Sequence, residues 1–394
     1  MTLPKLRMSI PHNQLCPDNA AYAARADLNQ TRMLGYTAYN RDAVTTLLLG
    51  LLENRPAVRH VSGVTEQGLK ILDRTGIEIA EDMRVYETGQ QANQHTQDLI
   101  DDGFKLFWAY PPKPEQWPED SHLVSPDLWA RLNAKRNLAD LLGAQNLPTR
   151  TICSVEELAE TPFERPVFLT YAGGEATGWG FGVRYCDNEA DYRKAIAWFK
   201  EHEADQIAVE QSVDLVGCWC VNVAVTADNS VYCGAALQTF NGPAQQKGSV
   251  IDPSQPVPQK AIDLALKGSE AARMQGFLGL CAFDVGLGKD GKCYGFDPNF
   301  RFNACSTQIQ FHQSAADRSG LNFSQSWAAT SSKAPSEIEA ALSGPIDDMW
   351  LVPTRFIDGN LLSTGDGKSL ISGFIMAENE SQADRLEQQL AKLL

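Results

Sequence analysis

The stretch that decides the fold is CAFDVGLGKDGKCYGFDPNFR, residues 281–301. Two strand-like runs flank Asp290-Gly291, a dipeptide that favours a two-residue type I′ hairpin turn. That turn sets Lys289 opposite Lys292, Val285 opposite Phe296 and Asp284 opposite Asp297. Side chains alternate along a strand, so Phe283, Val285, Leu287, Tyr294 and Phe296 are expected on a core face. Asp284, Gly286, Gly295, Asp297, Asn299 and Arg301 are expected on the other. Like charges directly opposite destabilise a sheet, so two facing carboxylates call for a cation. Oxygen donors of this kind suit Mg²⁺ better than zinc. A solvated hairpin face is the plain alternative; the Asp-x-Asn-x-Arg run favours a metal–phosphate site.

The chain around this hairpin has 394 residues, which implies two or three packed units. A hydrophobic share of 43% with 21% charged residues is globular composition. The net charge of −15, with no Lys/Arg cluster, argues against a nucleic-acid partner. A polyanion would then be held at a local site, usually with a metal. Nine cysteines include Cys218 and Cys220 but no C-x-x-C pair, which disfavours a zinc site or a disulfide framework. Reduced thiols in a cytoplasmic protein are the simpler account. The opening MTLPKLRMSIPHN lacks the apolar core of a signal peptide, and no run approaches the ~18 apolar residues of a membrane span. A soluble cytoplasmic protein with no membrane partner is expected, with room for a homodimer.

Towards the N-terminus, residues 42–52 read as an apolar helix and 58–64 as a strand. A helix over 65–75 closes at Gly76, and a short strand covers 77–79. A helix over 91–102 and a strand over 104–110 follow. Strands alternating with helices imply an α/β layer with a parallel sheet, and no G-x-G-x-x-G fingerprint accompanies it. Ser125-Pro126-Asp127 starts a helix that carries Lys135 and ends near Gly143. Ser154 to Glu157 is a capping box. A strand over 166–171 runs through a glycine-rich loop, residues 173–182, into a strand over 183–186. Such a loop can bring backbone N–H groups against phosphate or be a plain mobile hairpin. Next come a helix over 189–202, a strand over 207–211, a hairpin turning at Asp228-Asn229, and a loop over 241–258. The helix 259–275 leads into the opening hairpin. Another S-x-x-E box at Ser336, a strand over 370–377 and a helix over 381–394 make a small C-terminal unit. The middle of the chain is thus α+β.

Put in order, these pieces resemble the ATP-grasp superfamily of the carboxylate–amine ligase type, best over 125–315. The implied fold is α/β and α+β, an ATP-grasp fold with an N-terminal α/β pre-grasp domain. The implied boundaries are 1–123 for the pre-grasp domain and 124–330 for the grasp. Within the grasp, about 150–215 would be the nucleotide-binding part and about 216–330 the metal-bearing part. Residues 331–394 would be a C-terminal α/β extension. The resemblance implies that Asp284, Asp297 and Asn299 hold Mg²⁺ (or Mn²⁺) on the phosphates of ATP. Arg301 would meet the γ-phosphate or the substrate carboxylate. Lys135 matches the lysine on a nucleotide phosphate. Glu210, with Val213 after it, matches the strand and hinge beside adenine, and Gly173, Gly174 and Gly178 match the phosphate loop. The sequence departs from the pattern twice. The family's second lysine falls on Thr170, so Lys135 or Arg184 would have to supply that charge. The ribose-binding acid has no clear match, with Asp214 as a stand-in. The implied reaction joins a small carboxylic acid, an amino acid or short peptide, to an amine through an acyl-phosphate, releasing ADP and phosphate. A kinase or carboxylase reaction on the same site, or a non-catalytic nucleotide-binding module, are the alternatives. Among other residues, His312 and Lys247 are candidates for lining or closing the substrate cleft. Cys305 is read as a structural thiol.

Overall fold

Four short parallel strands open the chain: β1 (Ala20–Tyr22), β2 (Ala57–His60), β3 (Met83–Tyr86) and β4 (Lys105–Phe107), in the order β3-β2-β1-β4. The computed structural model describes residues 3–24, 32–35, 49–110, 112–175, 177–178, 180–362 and 366–394. Residues 42–48 of the helix expected over 42–52 lie outside the described residues, and the chain re-enters in a 3₁₀ turn, Leu49–Leu51. The expected strand at 77–79 is not formed; β3 takes its place a few residues later. Only one of the four β3 side chains is buried, so its apolar alternation is too weak to read. The helix Glu66–Thr75 is capped by the Thr65 hydroxyl and stopped by Gly76 at φ 87°, as the sequence implies.

A second sheet is antiparallel, β5 (Arg150–Cys153), β6 (Val167–Tyr171), β7 (Val183–Cys186) and β8 (Ile207–Gln211), ordered β5-β8-β6-β7. One face is apolar: Val167, Leu169 and Tyr171 pack against Tyr192, Ile196 and Phe199 of the helix Glu189–Glu201. That period-of-3.6 stripe is the expected core face. The opposite face is left free for chemistry.

The third sheet has eight strands. Its order is β13-β12-β9-β10-β11-β14-β16-β15, comprising β9 (Leu215–Val225), β10 (Ser230–Phe240), β11 (Gln246–Ile251), β12 (Gly279–Gly288), β13 (Cys293–Asn299), β14 (Phe323–Ser331), β15 (Leu351–Ile357) and β16 (Ser369–Ala377). Residues 241–258, expected to be loop, contain β11, which joins β10 to β14. The strands of 331–394, set apart in the sequence as a small unit, therefore extend this same sheet. The helix Pro335–Asp347 starts one residue before the expected box: Pro335 opens it and Glu337 accepts from the Ala334 N–H. Against it lies the N-terminal helix Glu66–Thr75, with Arg74 gripping Asp347 through two hydrogen bonds of 2.9 and 2.6 Å.

The hairpin of β12 and β13 closes differently from the type I′ expectation. Gly288 pairs with Lys292, Gly291 N–H donates to the Gly288 carbonyl at 2.9 Å, and Gly291 has φ 78°. This is a three-residue loop with glycine in the left-handed region. Near the turn the register is therefore one residue off, pairing Leu287 with Cys293 and Val285 with Gly295. A β-bulge at Phe296 takes up the extra residue, and Asp284 faces Asp297 after all. Tyr294 and Phe296 consequently leave the core face. A Cβ on Gly288 would touch Tyr294, and one on Gly286 would touch Phe296. Phe283 and Val285 are buried against the helix Gln259–Arg273 as expected, each worth about 1.5–3 kcal/mol of burial.

Candidate active site

Asp284 and Asp297 are cross-strand partners on one face of β12 and β13, and alternation puts Asn299 on that face too. Lys135 joins them because its helix breaks. Ser125 caps the helix Pro126–Asn133 by accepting from Leu128 N–H at 3.2 Å. The backbone then leaves the helical region at Ala134 (ψ 117°), and Lys135 begins a 3₁₀ turn. The continuous helix expected to Gly143 is thus two pieces, and the break brings Lys135 Nζ to 3.2 Å from Asp297 Oδ1 with the lysine side chain only 12% exposed.

One lysine against two carboxylates leaves a net negative charge. Asp284 Oδ1 is buried and has no hydrogen-bond partner. Burial, and then Asp297, push the Asp284 carboxyl up to about 7, with Gln238 and Lys135 pulling the other way. An orphaned carboxylate oxygen facing a second carboxylate fits a divalent cation. Among the described residues no cluster of three His, Cys, Asp or Glu side chains could hold a metal. The donor set is therefore two carboxylates and an amide, which suits a metal that takes its other ligands from phosphate and water.

On the free face of the second sheet, Arg150 of β5 and Phe168 of β6 both lie opposite Glu210 of β8. Glu210 is buried. Its Oε1 lies 3.4 Å from Arg150 Nη1 and its Oε2 accepts from Thr170 Oγ1 at 3.4 Å. Burial raises the Glu210 carboxyl, while Arg150, Lys135 and Thr170 lower it. Arg150 also donates to the Lys135 carbonyl at 2.8 Å, so the lysine and the Glu210 pair form one connected set. Glu210 here is held by cations, an environment different from the adenine edge that the resemblance implies. Arg184 cannot supply the charge missing at Thr170. It is paired with Leu169, on the helix-facing side of β6, and its guanidinium sits 3.7 Å over the Trp198 ring. One residue of alternation separates it from the Thr170 face.

Arg301 is held from three sides. It donates to Asn133 Oδ1 and to the Thr177 carbonyl, each at 3.2 Å, and lies 4.9 Å over the Tyr110 ring. The glycine-rich loop thus reaches the site. Thr177 touches Arg301, and a Cβ on Gly178 would meet the Tyr110 hydroxyl at 3.1 Å. Gly173 abuts the Tyr171 ring, and Gly174 lies beside Ala130. Asp214 is not brought to this centre. Its exposed carboxylate pairs with Lys289 at 3.6 Å, a residue five positions along the chain from Asp284, or roughly 17 Å. Val213 is half-buried beside it. Lys247 is exposed on β11. His312 is packed on the helix Ser306–Ser319 with its Nδ1 2.9 Å from Ser324 Oγ, so it is a core histidine rather than a cleft residue. Cys305 is buried beside Cys220 and Ala282.

Sequence reasoning missed Arg150, Tyr110, Asn133 and Gln238. Arg150 carried a weak signal: it opens the strand Arg150–Cys153 two residues after Pro148. Tyr110 and Asn133 join this group of side chains only through the three-dimensional approach of Arg301.

Two family models match this chain. The L-aspartate–L-methionine ligase N-terminal domain matches residues 12–130, and the ATP-grasp domain of L-aspartate–L-methionine ligase matches residues 148–299. Together they span more than half of the chain. Among solved structures, N5-carboxyaminoimidazole synthetase from Staphylococcus aureus, complexed with ADP, superposes with a TM-score of 0.56 at 10% identity, covering 100% of this chain and 99% of that one. An L-amino acid ligase from Bacillus licheniformis gives 0.55 at 11% identity, covering 95% and 96%. Phosphoribosylamine–glycine ligase from Thermotoga maritima gives 0.55 at 13%, with the same coverage. Among the described residues no helix is long and apolar enough to cross a membrane. The chain belongs to the ATP-grasp superfamily, as an ATP-dependent carboxylate–amine ligase that forms an amide bond between amino acids.

Proposed function

We propose that the two substrates are L-aspartate and L-methionine, joined to a dipeptide with ATP and Mg²⁺ (or Mn²⁺) in the cytoplasm. The names of the two matching families support the substrates. The observation that carries the site is the facing pair Asp284 and Asp297 with Lys135 on one side and Arg301 two residues beyond Asn299. In this reading Asp284, Asp297 and Asn299 hold the metal. Bound there, the metal offsets charge on the ATP phosphates. Lys135 neutralises phosphate oxygens, with Arg150 fixing its backbone. The amino-acid carboxylate oxygen attacks the γ-phosphorus, the bond to the bridging oxygen breaks, and ADP leaves. The acyl-phosphate carbon is then attacked by the amine nitrogen. Phosphate departs with the electron pair of the C–O bond, and the amine releases a proton. Arg301 offsets the charge that develops on the acyl-phosphate. Position and electrostatics supply the catalysis in phosphoryl transfer, so no nucleophilic side chain is required. The loop 173–182 covers the phosphates, and 1–123, 124–330 and 331–394 serve as pre-grasp domain, grasp and extension.

The test is release of ADP and phosphate with ATP, Mg²⁺ and each amino acid alone or together. Full turnover with both, and a dipeptide mass in the product, is expected. Equal turnover with one amino acid alone overturns the ligation of this pair.

A further inference from the structure

Arg59 lies next to the end of β2, at the C-terminal edge of the N-terminal parallel sheet. Ligands of open parallel sheets bind outside the carboxyl ends of the strands. The residue has no exposed surface, yet among the described residues no carboxylate pairs with its charge. Nη1 donates to the Val58 carbonyl at 3.4 Å and the guanidinium also donates to the Tyr22 hydroxyl, while Nε and Nη2 have no hydrogen-bond partner among the described residues. The groups acting on it electrically are Tyr22 and Tyr86, and burial draws its pKa down to about 10. Its guanidinium stands 4.5 Å over the Tyr22 ring. A buried charge without a counter-charge is costly, and an arginine fork matches a carboxylate with two parallel hydrogen bonds.

The position of Arg59 ties it to the reaction centre. Tyr22 lies in the field of both Arg59 and Tyr110, Tyr22 and Tyr110 share one core cluster, and Tyr110 is the ring beneath Arg301. Two guanidinium groups are therefore mounted on neighbouring tyrosines, Arg301 beside the metal-facing strands and Arg59 on the N-terminal side. Amide ligation consumes one carboxylate. The second carboxylate of an acidic amino acid and the α-carboxylate of the attacking amino acid stay ionised throughout. We infer that Arg59 receives such an unreacting carboxylate of an amino-acid substrate, in a subsite at the C-terminal edge of the N-terminal sheet. This inference rests on the ligase reading above. The carboxylate enters by displacing the groups that cover Arg59, and the bound state is the one in which its charge is compensated.

The test is calorimetric binding of L-aspartate and L-methionine, each with ATP and Mg²⁺ where needed, to the wild type, Arg59→Met and Arg59→Lys. Arg59→Met removes an uncompensated buried charge, so its melting temperature should not fall. If it fails to fold, Arg59→Lys keeps the charge but loses the fork and carries the same comparison. Binding of one amino acid should weaken about 10- to 100-fold, the scale of a charged hydrogen-bonded contact. L-Asparagine and L-methioninamide decide which substrate: the wild type should prefer the acid over its amide in one arm, and the variants should lose that preference. Unchanged binding in both variants overturns the role of Arg59 and leaves the ligase reading standing. Failure of the wild type to bind either amino acid overturns both.

Discussion

Lys135 Nζ stands 3.2 Å from Asp297 Oδ1, and it arrives there because the backbone breaks out of a helix one residue earlier. The lysine half-neutralises the carboxylate pair before any nucleotide binds. A metal entering between Asp284 and Asp297, as proposed, would compete with a resident cation.

Replacing Lys135 by Met should lower turnover on the order of 10²-fold, the scale of one lost electrostatic contact to a transition state. The same variant should be stabilised more by Mg²⁺ without ATP than the wild type is, because the carboxylates repel unshielded. Thermal melts with and without Mg²⁺ check this. An equal metal response in the two proteins would disprove the competition.

Asp297→Asn should leave folding unharmed or improve it by up to about 1 kcal/mol, since it relieves a facing like-charge pair, less what the Lys135 contact contributes. Turnover should nevertheless fall on the order of 10²-fold or more. Arg301→Ala should also damage turnover while nucleotide binding persists. Phosphate release and melting temperature, measured side by side, decide the matter. Near-normal turnover in Asp297→Asn defeats the metal assignment.

Arg150 and Glu210 form a buried pair, and breaking such pairs from one side costs about 3–5 kcal/mol. Arg150→Met and Glu210→Gln should each destabilise strongly. The double variant should be more stable than the sum of the two losses implies. A denaturant double-mutant cycle reads the coupling directly, and strict additivity would mean that the two charges do not interact.

Stability should fall with acid between pH 6.5 and about 4 in a way that involves His12 and His312. Burial is the first cause at both, and each imidazole is lowered to about 4. The unfolded chain binds protons on these residues below 6.5, whereas the folded chain stays neutral. Their contribution is therefore complete above 6.5 and is lost progressively as pH falls to about 4. His312→Gln should flatten the melting-temperature profile in that window. A profile as steep as the wild type would assign the loss elsewhere.

Gly291→Ala should cost about 1 kcal/mol, because φ is 78° there while nothing lies within 4 Å of a new Cβ. Asn, which tolerates that region, should cost less. Urea titration of the two variants separates backbone strain from steric clash.

The sequence disclosed the facing aspartates, but through a turn that does not exist. The type I′ reading and the observed loop-plus-bulge reach the same pairing of Asp284 with Asp297, since the bulge at Phe296 restores the register that the longer loop shifts. The faces of Tyr294 and Phe296 were lost in the exchange, because a one-residue slip reverses every side chain it covers. Capping signals at Ser125 and Ser154 were legible as local chemistry: each hydroxyl accepts a backbone N–H in its own helix. The strands β3 and β11 were not legible, because half-exposed polar residues pair there only when a neighbouring strand is present. Arg150 and Tyr110 belong to the same class. Their partners are remote in the chain, and no local pattern announces them.

The strand order has a consequence for biosynthesis. β15 hydrogen-bonds only to β16, and β16 lies between β14 and β15 although it is the last strand in the chain. On the ribosome, β15 emerges with no neighbour to receive it. The edge of the sheet, and the seat of the N-terminal helix Glu66–Thr75 against it, form only once β16 has been made. The hairpin of β12 and β13 is made well before that point. The facing carboxylates of β12 and β13 therefore exist in the chain before the strand that receives β15 has been made.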